Sequence, residues 1–431
     1  MNYLLLLVYV TIGYSVMAGE TLDLSRVSQL ALQESPKIKQ VVLQKEMQLQ
    51  EVNQVGELPD PMMTYSWFGE SVQTKVGPQE QKFGIQQSIP WPGKLIDQKN
   101  VIRKKAAITE SMLLGTKARL ILSIRHAWSD IQVLSLNKGV VEKTIKLYQN
   151  WKKKLMIDYQ TGKSSYANVL KMKNEIEVLK DESSNLSRKL ADRYFDLSEA
   201  TNQKEINFSI DSNTFLNIST QLGTQVFPAE IISNPLLQAA MAKKSFWAAQ
   251  ESLSRNGYLP NLTIGLDYIK TGEAPGVAKS GNDSWLINVG MTLPLSFTKT
   301  SASIKETLIG QKQADVLTQE QSLMVSKITK KSFNQIEESM RRINLYRNTI
   351  LPNIEQSIAV SEQSYVSGRQ GFMQLIDDYR MRLNLQRKIY VVAGNEFKAK
   401  STLLWILGDE SSQFEFPYAV NSFSSQLDKG E

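Results

Sequence analysis

The chain of 431 residues has no cysteine and only one histidine. The absence of cysteine excludes disulfides and thiolate metal sites. A metal would have to rely on carboxylates and methionines, and the 14 methionines form no dense cluster. His126 lies in a helical pattern and is interpreted as structural. We therefore predict no dedicated metal site and no cofactor. Since no catalytic constellation is recognisable, we predict that the protein is not an enzyme.

Long apolar runs and concentrated charge of one sign are also missing. Beyond the N-terminus, no stretch approaches the roughly 20 apolar residues that a membrane helix needs. The net charge of +7 comes from 50 basic and 43 acidic residues, which are interspersed along the chain. A nucleic-acid-binding protein would show a concentrated basic stripe. We therefore predict no nucleic-acid partner.

The N-terminal residues have the pattern of a secretory signal. Leu4–Val10 is an apolar run too short to span a bilayer, and Val16-Met17-Ala18 has the small-x-small pattern of a signal-peptidase site. We predict a signal peptide over residues 1–18.

What the chain does contain is an internal repeat. Tyr159-Gln160-Thr161-Gly162-Lys163 returns 206 residues later as Tyr365-Val366-Ser367-Gly368-Arg369. Each copy is followed by an aliphatic pair, Val169-Leu170 or Leu375-Ile376. Other landmarks recur in the same order, with Ser35-Pro36 matching Asn234-Pro235, Leu58-Pro59 matching Leu259-Pro260, and Ile89-Pro90 matching Leu293-Pro294. Two copies of one long unit predict a pseudo-twofold architecture.

Most of each copy reads as helix with a heptad repeat. Apolar residues at heptad spacing run from Leu120 to Tyr148 and again from Ile376 to Phe397. The pattern predicts helices over 22–57, 94–160 and 164–200 in the first copy, and over 229–257, 298–366 and 369–407 in the second. At 1.5 Å per residue, the helix over 94–160 would be roughly 100 Å long.

Four short segments between these helices alternate with period two. They form two predicted hairpins, with loops around Val72–Gln79 and Gly272–Asp283, and each strand has one apolar, aromatic face and one small, polar face. An ordinary antiparallel sheet packed on a core would give the same alternation. However, the predicted helices pair with each other and leave none to cover the apolar face. This favours strands of an outer-membrane barrel, with Tyr65, Trp67, Trp91, Tyr268 and Trp285 near the lipid.

These predictions divide the chain into five segments. They are the signal peptide, a first repeat over 19–201 with its hairpin at 62–91, a linker over 202–228, a second repeat over 229–407 with its hairpin at 260–296, and a C-terminal tail over 408–431. Both irregular segments could pack around the outside of the helices. Four strands cannot close a barrel, since the smallest have about eight, whereas three chains would supply twelve.

The repeat, the helix–strands–helix order and the Tyr-x-x-Gly turns resemble the TolC-type outer-membrane efflux proteins over nearly the whole mature chain. The resemblance implies a mainly α fold with a small transmembrane β part. In it, long coiled-coil helical hairpins form a trimeric α-barrel that continues into a 12-stranded β-barrel. It also implies an exit duct in the outer membrane with its helical part in the periplasm. The implied partners are a periplasmic adaptor and an inner-membrane transporter of the RND type.

One motif resembles the heavy-metal branch of this family. Pro90, Trp91, Pro92, Gly93 and Lys94 match its strand-to-helix junction, which implies export of ions such as copper, silver, cobalt, zinc or cadmium. The residues also have a structural interpretation, because the prolines end the strand, Trp91 suits an aromatic belt and Gly93 permits a sharp turn. Drug efflux, type I secretion and a secreted coiled-coil scaffold remain alternatives.

Gly162 and Gly368 are predicted to end helices with positive φ. In the family, such turns form the periplasmic tips that meet the adaptor. The predicted tip residues are Thr161, Gly162, Lys163, Ser367, Gly368 and Gln370. Lys163 and Arg369 could pair with adaptor carboxylates or cap the preceding carbonyls.

The predicted gate lies close to the second turn. Asp377 matches a pore-lining Asp of the family, Tyr365 matches a Tyr that helps hold the closed state, and Arg369 loosely matches an Arg next to the turn. Under threefold symmetry, Asp377 or Asp378 would form an acidic ring. In the alternative interpretation, both carboxylates are solvated or paired with Arg380 and Arg382.

Overall fold

The structure is a computed structural model that describes residues 23–203, 234–406 except 279, and 408. The predicted signal peptide, linker and C-terminal tail therefore lie wholly or almost wholly outside the described residues. The helices are α1 Leu24–Glu34, α2 Pro36–Val55, α3 Pro92–Gln160, α4 Tyr166–Thr201, α5 Pro235–Arg255, α6 Phe297–Leu345, α7 Leu351–Val366 and α8 Phe372–Ile406. The strands are β1 Met62–Thr74, β2 Gly77–Ile89, β3 Leu262–Thr271 and β4 Ser284–Met291. A 3₁₀ turn, Asn256–Tyr258, follows α5, and a π turn, Tyr346–Ile350, joins α6 to α7.

The helix predicted over 22–57 is in fact broken in two. Ser35 ends α1 with an extended ψ of 120°, and Pro36 begins α2. A residue that precedes proline is pushed out of the α region by the proline ring, which explains the break. Asn234 and Pro235 start α5 in the same way, with the Asn234 side chain accepting a hydrogen bond from the Leu236 amide at 3.0 Å.

The chain divides into two compact units, each with segments from both repeats. The bundle unit comprises the described residues within 1–36, 117–227 and 327–431. The sheet unit comprises those within 37–116 and 228–326. The helices α3 and α6 contribute residues to both units.

The bundle unit packs α3, α4, α7 and α8 around an apolar core. The predicted seams are confirmed, since Ile124, Ile131, Val141 and Tyr148 of α3 are buried, as are Ile376, Tyr379, Leu383, Tyr390 and Phe397 of α8. Charged side chains bridge the helix surfaces. Arg380 and Arg387 of α8, one heptad apart, pair with Glu175 and Glu182 of α4, which have the same spacing. This ladder fixes the register of two helices that occupy equivalent positions in the repeats.

In the sheet unit, side-chain hydrogen bonds join the helices in the order α2–α3–α5–α6. Glu51 of α2 bonds Lys105 of α3 at 3.1 Å. Asp97 of α3 accepts a hydrogen bond from Asn256, next to α5, at 2.7 Å. Glu251 of α5 accepts a hydrogen bond of 2.7 Å from Gln311 of α6. Among the described residues, these contacts form an open row with α2 and α6 at its edges, and both edge helices expose apolar side chains.

The sheet follows the same order, β1-β2-β3-β4, and every neighbouring pair is antiparallel. The first hairpin loop is shorter than predicted, because β1 continues to Thr74 and β2 begins at Gly77. Gly77 has a φ of +133°, a conformation that glycine adopts without strain, and this permits the tighter reversal. The second loop, between Thr271 and Ser284, agrees with the prediction.

Candidate functional site

The two helical turns of the bundle unit have the same backbone structure. Gly162 and Gly368 have φ values of +75° and +71°, which confirms the predicted positive φ. In the first turn, the amides of Lys163 and Ser164 donate to the Asp158 carbonyl at 2.7 and 3.1 Å. In the second turn, the amides of Arg369 and Gln370 donate to the Ser364 carbonyl at 2.9 and 3.3 Å. The repeat is therefore preserved hydrogen bond by hydrogen bond.

The hydroxyl side chains of the two turns bond the preceding helix in a similar way. Thr161 donates its hydroxyl to the Ile157 carbonyl at 3.1 Å, and Ser367 donates to the Ser364 carbonyl at 3.1 Å. Both carbonyls also accept backbone amides, Ile157 from Thr161 at 3.0 Å and Ser364 from Arg369 at 2.9 Å, so the hydroxyls add a second kind of donor at each helix end. Lys163 and Arg369 are exposed. Their side chains are accessible at the turn surface.

Tyr365 joins the second copy of the turn to the first. Its hydroxyl donates a hydrogen bond of 2.8 Å to the Asp158 carboxylate, so it connects α7 to α3. Burial and the neighbouring Asp158 raise the pKa of the Tyr365 hydroxyl above its usual value. The phenol therefore stays protonated and keeps its donor.

The two predicted gate carboxylates have different partners. Asp377 is largely exposed and pairs with Arg380 at 2.8 Å. Arg380 also contacts Glu175 of α4, and hydrogen bonding to Glu175 is the main cause of its raised pKa. Asp378 accepts hydrogen bonds from Ser361 at 2.5 Å and from Ser357 at 3.2 Å. Asp377 thus follows the alternative interpretation, in which it is paired with Arg380.

Sequence reasoning missed the aromatic cluster beside Tyr365. Trp151 of α3 lies with its ring centre 5.8 Å from Tyr365, 6.0 Å from Phe372 and 6.3 Å from Tyr379. Its indole N–H donates to the Tyr379 hydroxyl at 3.2 Å, and that hydroxyl donates to Glu362. The sequence spacing could have indicated this cluster, because Trp151 precedes Asp158 by one heptad and therefore lies on the same face of α3.

The apolar face of the sheet is exposed, and aromatic residues cross it in register. Tyr65 pairs with Phe83, Phe83 with Tyr268, and Tyr268 with Trp285. All four side chains are at least 45% exposed. The next row, Met63, Ile85, Leu266 and Ile287, is also exposed and apolar.

The opposite face of the sheet is polar. Asp267 is fully buried there and pairs with Lys82 at 2.6 Å. Gly84 leaves the necessary space, since a Cβ at this position would lie 2.3 Å from an Asp267 oxygen. The two faces of the sheet therefore differ, because the apolar face is exposed whereas the polar face contains a buried carboxylate.

Comparison with solved structures gives the same architecture. The chain is similar to CusC, in crystal structures that concern folding and transmembrane channel formation, with a TM-score of 0.77 and 13% identity over 91% of this chain and 95% of that one. It is also similar to the outer membrane protein VceC of Vibrio cholerae, with a TM-score of 0.72 and 16% identity over 89% and 96%. For the Campylobacter jejuni outer membrane channel CmeC, the TM-score is 0.71 and the identity is 12%, over 91% of this chain and 87% of that one.

The chain has the TolC-type channel fold. No family model matches the sequence, and no curated protein sequence matches it either. At these identities the likeness concerns the fold, which agrees with the predicted long helices and small β part.

In this channel fold the junction motif differs from prediction at one residue. β2 ends at Ile89 and α3 begins at Pro92, with the Lys94 amide donating to the Trp91 carbonyl at 2.8 Å. Gly93 is the second residue of α3 and is not among the positive-φ glycines. The prediction that Gly93 makes the turn was therefore wrong. Proline favours the first helical position, so Pro90 and Pro92 confine the turn to Trp91.

His126 of α3 contacts the backbone of α8. The His126 ring nitrogen Nε2 lies 3.2 Å from the Lys398 carbonyl oxygen, and burial lowers its pKa. The histidine thus packs between α3 and α8, as the structural interpretation expected. Among the described residues, no group of three or more His, Asp or Glu could hold a metal ion.

None of the helices in the part of the chain that the structure describes is apolar over a length that would cross a bilayer.

Proposed function

We propose that the protein is the outer-membrane exit duct of a tripartite efflux pump. It would work as a homotrimer whose helical part lies in the periplasm. A periplasmic adaptor and an inner-membrane RND-type transporter would deliver the substrate, which the duct conducts passively. The fold shared with outer-membrane channels supports this function.

The exposed face of the sheet is the observation that carries the proposal. Soluble proteins rarely leave a contiguous apolar patch of this kind uncovered. Here an aromatic row, from Tyr65 to Trp285, borders apolar rows, while the opposite face is polar. Outer-membrane strands have the same division, with apolar residues toward lipid and polar residues toward the lumen. The lipid of the outer membrane is therefore the proposed partner of this face.

The open row of helices in the sheet unit supports assembly with further copies. Both edge helices expose apolar residues, Leu43 and Met47 on α2, and Ile309, Val316 and Leu323 on α6. The three α6 residues are one heptad apart and each is 65% exposed. The edge strands β1 and β4 have one unpaired side each within the described sheet. An α6 edge that meets the α2 edge of the next copy closes a ring, and three copies supply twelve strands.

We also propose that the second turn belongs to the periplasmic gate and both turns to the adaptor contact. The bond from Tyr365 to Asp158 ties the second repeat to the first and would hold the duct closed. The pair between Asp377 and Arg380, three residues apart on α8, would offset part of the negative charge of the acidic ring. The exposed Lys163 and Arg369 are then available to adaptor carboxylates.

The proposed cargo is heavy-metal cations, for which the junction motif from Pro90 to Lys94 is the support. Drug efflux and type I secretion are the other candidates for a duct of this fold. A deletion strain should become sensitive to copper, silver, cobalt, zinc or cadmium. Sensitivity to hydrophobic drugs alone would contradict the metal assignment without affecting the duct.

The duct itself is tested by fractionation and planar-bilayer recording of the full-length protein. We expect recovery in the outer membrane as a heat-modifiable trimer that forms channels of low conductance. Recovery as a soluble periplasmic monomer would contradict the proposal and favour a secreted coiled-coil scaffold.

The gate is tested by Tyr365→Phe, which removes the donor to Asp158. A typical protein hydrogen bond contributes about 1 kcal/mol, so openings should become roughly five times more frequent. Tyr159→Phe is the matched control, since Tyr159 occupies the equivalent position in the first copy and stacks on Tyr166 instead. Equal behaviour of the two variants would exclude Tyr365 from the gate.

A further inference from the structure

The aromatic cluster beside Tyr365 contains a second bond between a tyrosine and a carboxylate. Tyr379 of α8 donates its hydroxyl to Glu362 of α7. The first such bond runs from Tyr365 of α7 to Asp158 of α3. Together the two bonds link α8 to α7 and α7 to α3. One residue, Trp151, contacts both tyrosines.

Trp151 makes two kinds of contact in this cluster. Its ring meets Tyr365 edge to face at 73°, and Phe372 lies 5.5 Å from Tyr365, so three rings pack against each other. Its indole N–H donates to the Tyr379 oxygen at 3.2 Å. An oxygen that accepts there directs its own O–H elsewhere, and Glu362 accepts the hydrogen bond from it. The indole therefore orients one tyrosine by a hydrogen bond and the other by packing.

Lys154 makes cation–π contacts with two rings of the cluster. Its ammonium lies 4.9 Å from the Trp151 ring centre and 5.5 Å from that of Tyr365. A cation over two aromatic faces is attracted by both rings. It restricts the Trp151 ring to the orientation in which the edge-to-face contact with Tyr365 forms.

We propose that Trp151 is a positioning residue that couples the two tyrosine–carboxylate bonds, so that the closed gate opens as one unit. This rests on the proposed function, because it assigns a role within the proposed gate. With the indole present, loss of either bond weakens the other. Hydrogen-bonded networks of this kind are worth more than the sum of their separate bonds.

Single-channel recordings of the full-length protein test the coupling through a double-mutant cycle. Tyr365→Phe, Tyr379→Phe and the double variant are compared first in the parent and then with Trp151→Leu. In the parent, the double variant should open about as often as the stronger single one. In the Trp151→Leu background, the increases in opening frequency caused by Tyr365→Phe and by Tyr379→Phe should multiply in the double variant.

Conservative variants separate positioning from general stability. Trp151→Phe keeps the ring but loses the N–H that bonds Tyr379, so the effects of Tyr365→Phe and Tyr379→Phe on opening should multiply in this background as well. Trp151→Leu alone should open roughly three to ten times more often than the parent. Lys154→Gln should raise opening slightly, while Lys153→Gln, the same change on the exposed neighbour, should leave it unaltered.

The outcomes distinguish this inference from the function on which it rests. Channels that open normally with Trp151→Leu, while Tyr365→Phe still opens them, would overturn the coupling and leave the duct intact. Multiplicative effects already in the parent would overturn it as well. Absence of channel activity in every variant and the parent would overturn the proposed function itself. If Trp151→Leu fails to assemble, comparison of the double-mutant cycle in the parent with that in Trp151→Phe still shows whether the two bonds are coupled.

Discussion

The bundle unit encloses its largest cluster of apolar side chains, whereas the sheet unit leaves the apolar face of its sheet exposed. The bundle unit buries them, with Leu375 and Ile376 of α8 and Leu155 of α3 fully enclosed. The sheet unit exposes them, on one face of the sheet and along α2 and α6. On the polar face of its sheet, the buried Asp267 pairs with the partly exposed Lys82.

This difference separates the part of the fold that one chain completes from the part that it does not. Burial of apolar area is the main stabilising contribution to folding, and the bundle unit obtains it within the chain. The sheet unit buries some apolar residues, such as Val101 and Leu113, but leaves the aromatic face of its sheet exposed, and under the proposed function lipid covers that face. We therefore expect substitutions in the bundle unit to alter stability and gating, and those in the sheet unit to alter membrane assembly.

The largest expected effect is on the exposed face of the sheet. Leu266→Arg combined with Val289→Arg should abolish the trimer, because each cation near the bilayer midplane costs about 2–4 kcal/mol. Heat-modifiable migration of the outer-membrane fraction measures this. Thr263→Arg, on the polar face of the same strand, is the control and should assemble. Normal assembly of the double variant would mean that this face does not meet lipid.

The next effect compares equivalent positions of the repeat within the bundle unit. Ile376 is 1% exposed, whereas Leu170, its counterpart in the first copy, is 45% exposed. Ile376→Ala should destabilise the protein by about 2–5 kcal/mol because it leaves a cavity. Leu170→Ala should lower the free energy of unfolding much less, because its side chain is already exposed. Chemical denaturation followed by circular dichroism measures both, and similar losses would show that another molecule covers Leu170.

The smallest effect is a dependence on alkaline pH in the core of the bundle. Burial raises the pKa of Tyr148 from 10.0 to about 12. The neutral phenol thus favours the folded state fully below pH 10, and this stability is lost as pH rises from 10 through about 12. The loss is at most about 3 kcal/mol. Chemical denaturation at several pH values between 10 and 12 gives the free energy of unfolding. This free energy should fall less steeply with pH in Tyr148→Phe than in the parent. An unchanged slope would mean that Tyr148 does not contribute.

Much of the fold could be predicted from the sequence because its signals are local. Heptad spacing identified the buried faces of α3 and α8, and period-two alternation identified the strands. Gly162 and Gly368 marked the helical turns, since few other residues tolerate positive φ. The errors were local as well. Pro36 breaks a helix that was predicted to be continuous, and Pro92 performs the role expected of Gly93.

The tertiary structure decided which side chains meet. Tyr365 and Asp158 are 207 residues apart, and Trp151 and Tyr379 are 228 apart. Their contacts depend on the packing of α3 against α7 and α8, which no local pattern specifies. The sequence offered Arg380 as one possible partner of Asp377. That Arg380 also pairs with Glu175 depends on the register of α4 against α8, which the sequence did not specify.

The sequence by itself thus determined the elements, their repeat and the apolar face of each, because backbone propensity and periodicity act over a few residues. The aromatic row from Tyr65 to Trp285 needed the register of all four strands, and the open row of helices needed their order in space. Those features depend on contacts between distant segments, and only the packed chain specifies them.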